Sequence, residues 1–219
     1  VELIQEIGSF QLQPLRHRAG VQMFLDFFRL RPPVGAGRQL PDRRFLLEIL
    51  ERFAALPYEN ISKIIRLHDN WDGLEKLRLP EQVIADHAAQ RLGGTCFSLT
   101  FFLQAILAQH EFACYPVMAD MRAGANIHCA LVVMLDDKKY LLDPGYLLNQ
   151  PMELNPQNPR LYRTEFAGVE LRFEPAAHSY HLFTFNKDEM KWRYRFADRP
   201  TPPAEFLRHW LASFERNSM

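Results

Sequence analysis

The apolar residues of this chain change period once, at Gln109, and no other feature constrains the fold as much. Before it they recur at helical spacing; beyond it they alternate or run continuously, as strands do. Leu46, Ile49, Leu50 and Phe53 follow the i, i+3, i+4, i+7 pattern of an amphipathic helix that Pro57 should end, leaving Leu56-Pro57-Tyr58-Glu59-Asn60 as a fixed corner. A further helix is predicted to open at Pro80 and to carry Val83, Ile84, Ala88 and Leu92 toward Gly93-Gly94. Another starts at Cys96, with Leu99, Phe102 or Leu103, and Ile106 on one face, after two glycines that let the backbone turn sharply. Strands are predicted at 112–118, 127–135 and 140–143, with Asp136-Asp137-Lys138 as a turn, and then at 169–173, 180–185 and 192–196. Pro, Gly and Asn mark loops at 31–37 and 149–159, and a short helix from Pro203 through Phe206, Leu207 and Trp210 follows the last strand. The chain is therefore expected to be α+β, a helical domain at 1–110 followed by a β domain at 111–219.

Charge and cysteine content exclude several function classes. Lysine plus arginine (26) balances aspartate plus glutamate (26), so no global field draws nucleic acid or an anionic membrane. The longest apolar run, 129–135, is far too short to span a bilayer, and Glu2, Gln5 and Glu6 interrupt the first residues, so neither a leader nor an anchor is expected. Cys96, Cys114 and Cys129 are odd in number and lack disulfide or metal spacing, which suggests a reducing compartment, the cytoplasm, and no metal. Gly93-Gly94 lacks the lysine and hydroxyl residue of a phosphate-binding loop.

Three residues carry chemistry in chain order. Cys96, at a helix start among backbone N–H groups without intrahelical partners, should have its thiolate favoured by the helix dipole. His128 opens one strand and Asp143 closes the next. If the intervening turn has two or four residues, paired numbers sum to an odd value and both side chains project from one face, a diagonal pair about 7–8 Å apart at the backbone. That is the layout of Cys-His-Asp nucleophilic catalysis, with the Cys96 N–H as an oxyanion donor. Cys129, next to His128, should point to the opposite face, and Cys114 to the core.

These residues resemble the arylamine N-acetyltransferase family. Its nucleophile motif, Arg-Arg-Gly-Gly-x-Cys then Phe-Glu-x-Asn, is similar to Arg91-Leu92-Gly93-Gly94-Thr95-Cys96-Phe97-Ser98-Leu99-Thr100, and its Pro-Phe-Glu-Asn corner to Pro57-Tyr58-Glu59-Asn60. Its Thr-His strand and Asp-Val-Gly-Phe-Gly strand end correspond to Ile127-His128 and Asp143-Pro144-Gly145-Tyr146. The resemblance implies an antiparallel β-barrel behind the helices, on a cysteine-proteinase-like core. It also implies transfer of an acyl group from acetyl-coenzyme A or another acyl-coenzyme A to an arylamine or other small amine, through a thioester on Cys96. No permanently bound cofactor is implied, and Phe97, Ile127, Gly145 and Tyr146 line the substrate site. Leu92, Ser98, Thr100 and Ile127 stand where the family carries Arg, Glu, Asn and Thr. A lid-like domain expected beyond the barrel has no counterpart before Met219, so weak coenzyme A binding is expected. Amide synthesis on a thioester-bound polyketide, cysteine hydrolase or transglutaminase chemistry, and non-catalytic binding are the alternatives.

Overall fold

The computed structural model describes residues 12–33, 42–69, 71–146, 148–163 and 167–215. The expectation of no leader in the opening residues therefore lies mostly outside the described residues, as does half of the predicted loop at 31–37. The helical part comprises α1 (Arg18–Phe28), α2 (Arg43–Phe53), α3 (Ile61–His68), α4 (Pro80–Gln90) and α5 (Cys96–Gln109). Asp42 caps α2 by accepting from the N–H groups of Arg44 and Phe45, an arrangement that stabilises a helix start by about 1 kcal/mol. The helix ends at Phe53, a few residues ahead of Pro57. Gln90 ends α4, and Arg91 follows in a left-handed conformation at φ 60°, so Leu92 lies past the helix predicted to carry it.

The strands are β1 (Cys114–Met121), β2 (Gly124–Leu135), β3 (Lys138–Leu142), β4 (Met152–Glu153), β5 (Arg160–Arg163), β6 (Ala167–Glu174), β7 (Ser179–Asn186) and β8 (Met190–Phe196). They form one antiparallel sheet in the order β4-β3-β2-β1-β8-β7-β6-β5. Its outer strands β4 and β5 are joined by a short loop and by an Arg160–Glu153 ion pair at 2.5 Å, so the sheet curls into a nearly closed barrel. The segment 149–159, expected to be all loop, contributes β4. The strand β5 was not predicted either: its four residues, Arg-Leu-Tyr-Arg, offer little apolar alternation.

β2 is buried on both faces, which explains its unbroken apolar sequence. Leu131 and Val133 join the core of the helical part, around Phe24, Leu46, Ile49 and Phe102. Ala130 and Val132 face the barrel interior with Leu141, Leu182 and Tyr194. The last helix, α6 (Pro203–Glu215), is longer than the predicted short segment and folds back onto the start of α5. There Phe206, Leu207 and Trp210 bury against Phe97 and Phe101. The Phe97 ring lies 5.5 Å from Phe206 and 6.2 Å from Trp210, contacts worth roughly 1 kcal/mol each beyond their area. Among the described residues no helix is long and apolar enough to cross a membrane.

Candidate active site

Cys96 is the first residue of α5 and is only 5% exposed. Thr95, the residue before the helix, makes no side-chain bond to the first-turn N–H groups, which leaves their partial positive charge beside the thiol. The glycines before it work otherwise than predicted. Among the described glycines only Gly73 has a positive φ, so neither Gly93 nor Gly94 supplies a left-handed turn. What they permit is close approach: a Cβ on Gly93 would fall 1.7 Å from the Pro57 carbonyl oxygen, and one on Gly94 2.3 Å from Ser98 Oγ. Gly94 N–H donates to the Pro57 carbonyl at 3.1 Å and Glu59 N–H to the Gly94 carbonyl at 3.0 Å, so the corner at 57–60 and the nucleophile loop are one backbone-bonded unit.

The barrel presents the other two groups. Asp136 and Asp137 form a two-residue turn with φ of 50° and 58°, and Leu135 pairs with Lys138 and Leu131 with Leu142. The paired numbers sum to an odd value, so His128 and Asp143 share the interior face as expected. His128 Nε2 lies 2.9 Å from Asp143 Oδ2. The carboxylate is fully buried, with Tyr194 donating its O–H to Oδ2 at 2.5 Å and Tyr146 its N–H to Oδ1 at 3.1 Å. Gly145 closes the group: a methyl there would meet His128 Cε1 at 2.9 Å, Asp143 Oδ1 at 3.2 Å and Cys96 Cβ at 3.3 Å.

Strand alternation places His128 toward the barrel interior, against Tyr194, and Cys129 toward α5, as expected, and Cys96 lies close enough to both to interact with each. The β1–β2 register shifts just before His128, where Asn126 takes φ 53° and donates its N–H to Asp120 at 3.1 Å. The irregularity increases the local twist at the end of the pairing, while His128 and Cys129 keep regular partners in Ala119 and Met118.

Hydrogen bonds from Cys129 and then His128 pull the Cys96 thiol down to about 5, against the opposing effect of burial. Burial disfavours the His128 imidazolium, but the Asp143 carboxylate and Cys96 outweigh it and push the histidine up to about 10. Both shifts run in the direction that favours a thiolate paired with an imidazolium. Cys129 is raised well above its ordinary value by burial and by Cys96, and burial pushes Cys114 up to about 12. The three thiols are thus chemically distinct.

Two cavities flank the group. One, about 140 Å³, opens on Cys96 and is lined by Tyr58, Asn60, Lys63, Ile127 and His209 among others, with Phe97 forming part of its wall. The other, about 340 Å³, is an open cleft lined by Tyr146, Tyr162, Phe185 and Arg193 among others. Of the four residues expected to line the site, Phe97 and Ile127 are on the first cavity, Tyr146 on the second, and Gly145 against Cys96 and His128. Tyr146 packs edge-on to His128 at 5.5 Å and so stands between them. Sequence reading missed Lys63, Asn126, His209 and Ser213. Asn60 was signalled by its motif, but no local pattern marks two residues of a C-terminal helix as neighbours of Cys96. Among the described residues no group of three His, Cys, Asp or Glu could hold a metal ion.

Fold and site together define a class: a helical unit bearing a cysteine at a helix start, set against an antiparallel barrel that presents histidine and aspartate. The N-acetyltransferase family model matches residues 44–219, and the chain belongs to the arylamine N-acetyltransferase family. It is 30% identical over 147 residues to arylamine N-acetyltransferase 1 of Bos taurus, covering 58% of this chain and 48% of that protein. The chain thus spans about half the length of the curated relative it matches. The arylamine N-acetyltransferase of Mycobacterium abscessus shares the fold at TM-score 0.69 and 20% identity, over 89% of this chain and 68% of that one. The Bacillus cereus arylamine N-acetyltransferase with a Cys-His-Glu triad superposes at TM-score 0.68 and 16% identity, over 90% and 77%.

Proposed function

We propose that this chain transfers an acetyl or other small acyl group from acyl-coenzyme A to an arylamine or related amine, by way of a thioester on Cys96. The observation that carries the reading is the buried Cys96 at the start of α5, meeting across Gly145 a His128 that Asp143 holds at 2.9 Å. The Cys96 thiolate attacks the thioester carbonyl, and first-turn N–H groups of α5 are placed to stabilise the oxyanion. As the tetrahedral intermediate collapses, the carbon–sulfur bond to coenzyme A breaks and the departing thiolate takes the His128 proton. In the second half, the amine nitrogen attacks the acyl-Cys96 carbonyl and its proton passes to the neutral His128. The Cys96 thiolate leaves, restoring the starting ion pair. Asp143 keeps the imidazole oriented and its positive charge balanced throughout. On this reading the helical part at 1–110 supplies the nucleophile and the barrel at 111–219 the base. Phe97, Ile127, Gly145 and Tyr146 shape the space around the acyl group.

The test is intact-mass analysis after exposure to acetyl-coenzyme A, followed by an aromatic amine. An acetyl increment mapped to Cys96 that the amine discharges is the expected result. An increment discharged equally fast by water alone would point to a hydrolase, and a Cys96 that never acylates with any thioester of a panel would overturn the reading.

A further inference from the structure

We infer that Arg78 is a positioning residue for Cys96, supplying from outside the nucleophile motif the guanidinium that the motif itself lacks. The inference rests on Cys96 being the nucleophile. In the family's pattern, position 92 is arginine and position 98 glutamate; this chain has Leu92 and Ser98. Arg78 lies on the link between the turn Gly73–Lys76 and α4, with its side chain only 5% exposed. Its Nη1 donates to the Gly93 carbonyl at 2.6 Å and to Ser62 Oγ at 2.6 Å, and stands 3.4 Å from Glu59 Oε1. Its Nη2 donates to Asp86 Oδ2 at 2.7 Å. Glu59 in turn accepts from the N–H and hydroxyl of Ser62, at 2.9 Å and 2.7 Å. One planar group thus ties together the corner at 57–60, the first turn of α3, the body of α4 and the peptide three residues before Cys96.

Two adjacent glycines have the widest choice of backbone conformation of any dipeptide, so a Gly93-Gly94 loop does not hold its own shape. It is fixed from outside: Gly94 by backbone bonds to Pro57 and Glu59, and the Gly93 carbonyl by Arg78. The direction of that carbonyl sets the peptide planes leading into α5, and with them the aim of its first-turn N–H groups at the Cys96 sulfur. Arg78 Nε is buried without a partner among the described residues, so the side chain forgoes one donor to place both terminal nitrogens. A lysine could not replace it, because a single ammonium cannot reach the Gly93 carbonyl and Asp86 along the two arms of a fork.

The experiment follows iodoacetamide alkylation of Cys96 against pH, by peptide mapping, in the full chain and in Arg78→Lys and Asp86→Ala variants that melt cooperatively. Asp86 is partly exposed, so its removal frees the guanidinium with little risk to the fold and keeps the test decisive if the lysine variant does not fold. In the unmodified protein Cys96 must react at pH 6 well ahead of Cys114 and Cys129; if it does not, the nucleophile assignment itself fails. Given that selectivity, Arg78→Lys should slow Cys96 alkylation by about ten- to a hundredfold, the range expected when a reacting group is misplaced by about 1 Å, and Asp86→Ala by a few-fold. In acetyl transfer the loss should fall on kcat more than on KM. Folded variants that keep the unmodified rate and pH midpoint would overturn the role of Arg78 while leaving that of Cys96 standing.

Discussion

The helical and barrel parts hold their functional groups in opposite ways. Cys96 is placed by backbone: a helix start, Gly93 packed against Pro57 and Gly94 against Ser98, and carbonyls tied to the corner and to Arg78. His128 and Asp143 are placed by side chains, in a buried chain of bonds running from Tyr194 through Asp143 to His128. A change in the helical part should therefore act by moving the sulfur relative to its helix start and to His128. One in the barrel should alter protonation without moving the sulfur.

The sharpest break is Cys96→Ser, which should abolish acyl-enzyme formation while shifting the melting temperature by only a few degrees, since a hydroxyl is nearly the size of a thiol but far less nucleophilic. Retained turnover would remove Cys96 from the comparison altogether. His128→Ala comes next. It takes away the imidazolium and should slow Cys96 alkylation at pH 6 by about a hundredfold as the thiol climbs back toward its ordinary value. Asp143→Asn keeps the geometry but removes the balancing charge, and should slow the same reaction by about tenfold in the same assay. An asparagine variant that reacts as fast as the unmodified protein would mean that Asp143 acts by holding position rather than by its charge.

Two glycine substitutions set the parts directly against each other. Gly93→Ala drives a methyl into the Pro57 carbonyl and should cost about 3 kcal/mol in chemical denaturation. Gly145→Ala meets the His128 ring and Asp143 at 2.9–3.2 Å, and should lower turnover more than stability. The reverse ranking would contradict the backbone-against-side-chain division.

The smallest effect is on pH-dependent stability. His128, raised from 6.5 to about 10, contributes stability that is complete below 6.5 and lost as pH rises through about 10. Cys96, lowered from 9.0 to about 5, contributes stability that is complete above 9.0 and lost as pH falls through about 5. Between about 6.5 and 9 the folded pair and the unfolded chain each bind one proton, on histidine and on cysteine respectively. The net contribution of the pair is then flat. Its effect on the melting temperature should show as a plateau falling off on both sides, absent from the Cys96→Ser, His128→Ala double variant. A single-sided fall would mean that the two groups do not titrate as an ion pair.

The sequence by itself determined the α+β order, the helix start at Cys96 and the face shared by His128 and Asp143. Each of these is local: an apolar period, a cap position, and the parity of a two-residue turn. Only the tertiary structure decided what lies between them. Gly93 and Gly94 were legible as special, but the close approach of one to Pro57 and of the other to Ser98 leaves no trace in a residue's own conformation. Cys129 points away from His128, as strict alternation requires, and still lies beside Cys96, because α5 packs on that face of the strand. Arg78, Lys63 and His209 gave no signal at all: each reaches the neighbourhood of Cys96 from a distant segment. Local sequence specifies how a residue points from its own helix or strand, whereas which segments meet is set by burial of whole faces against one another.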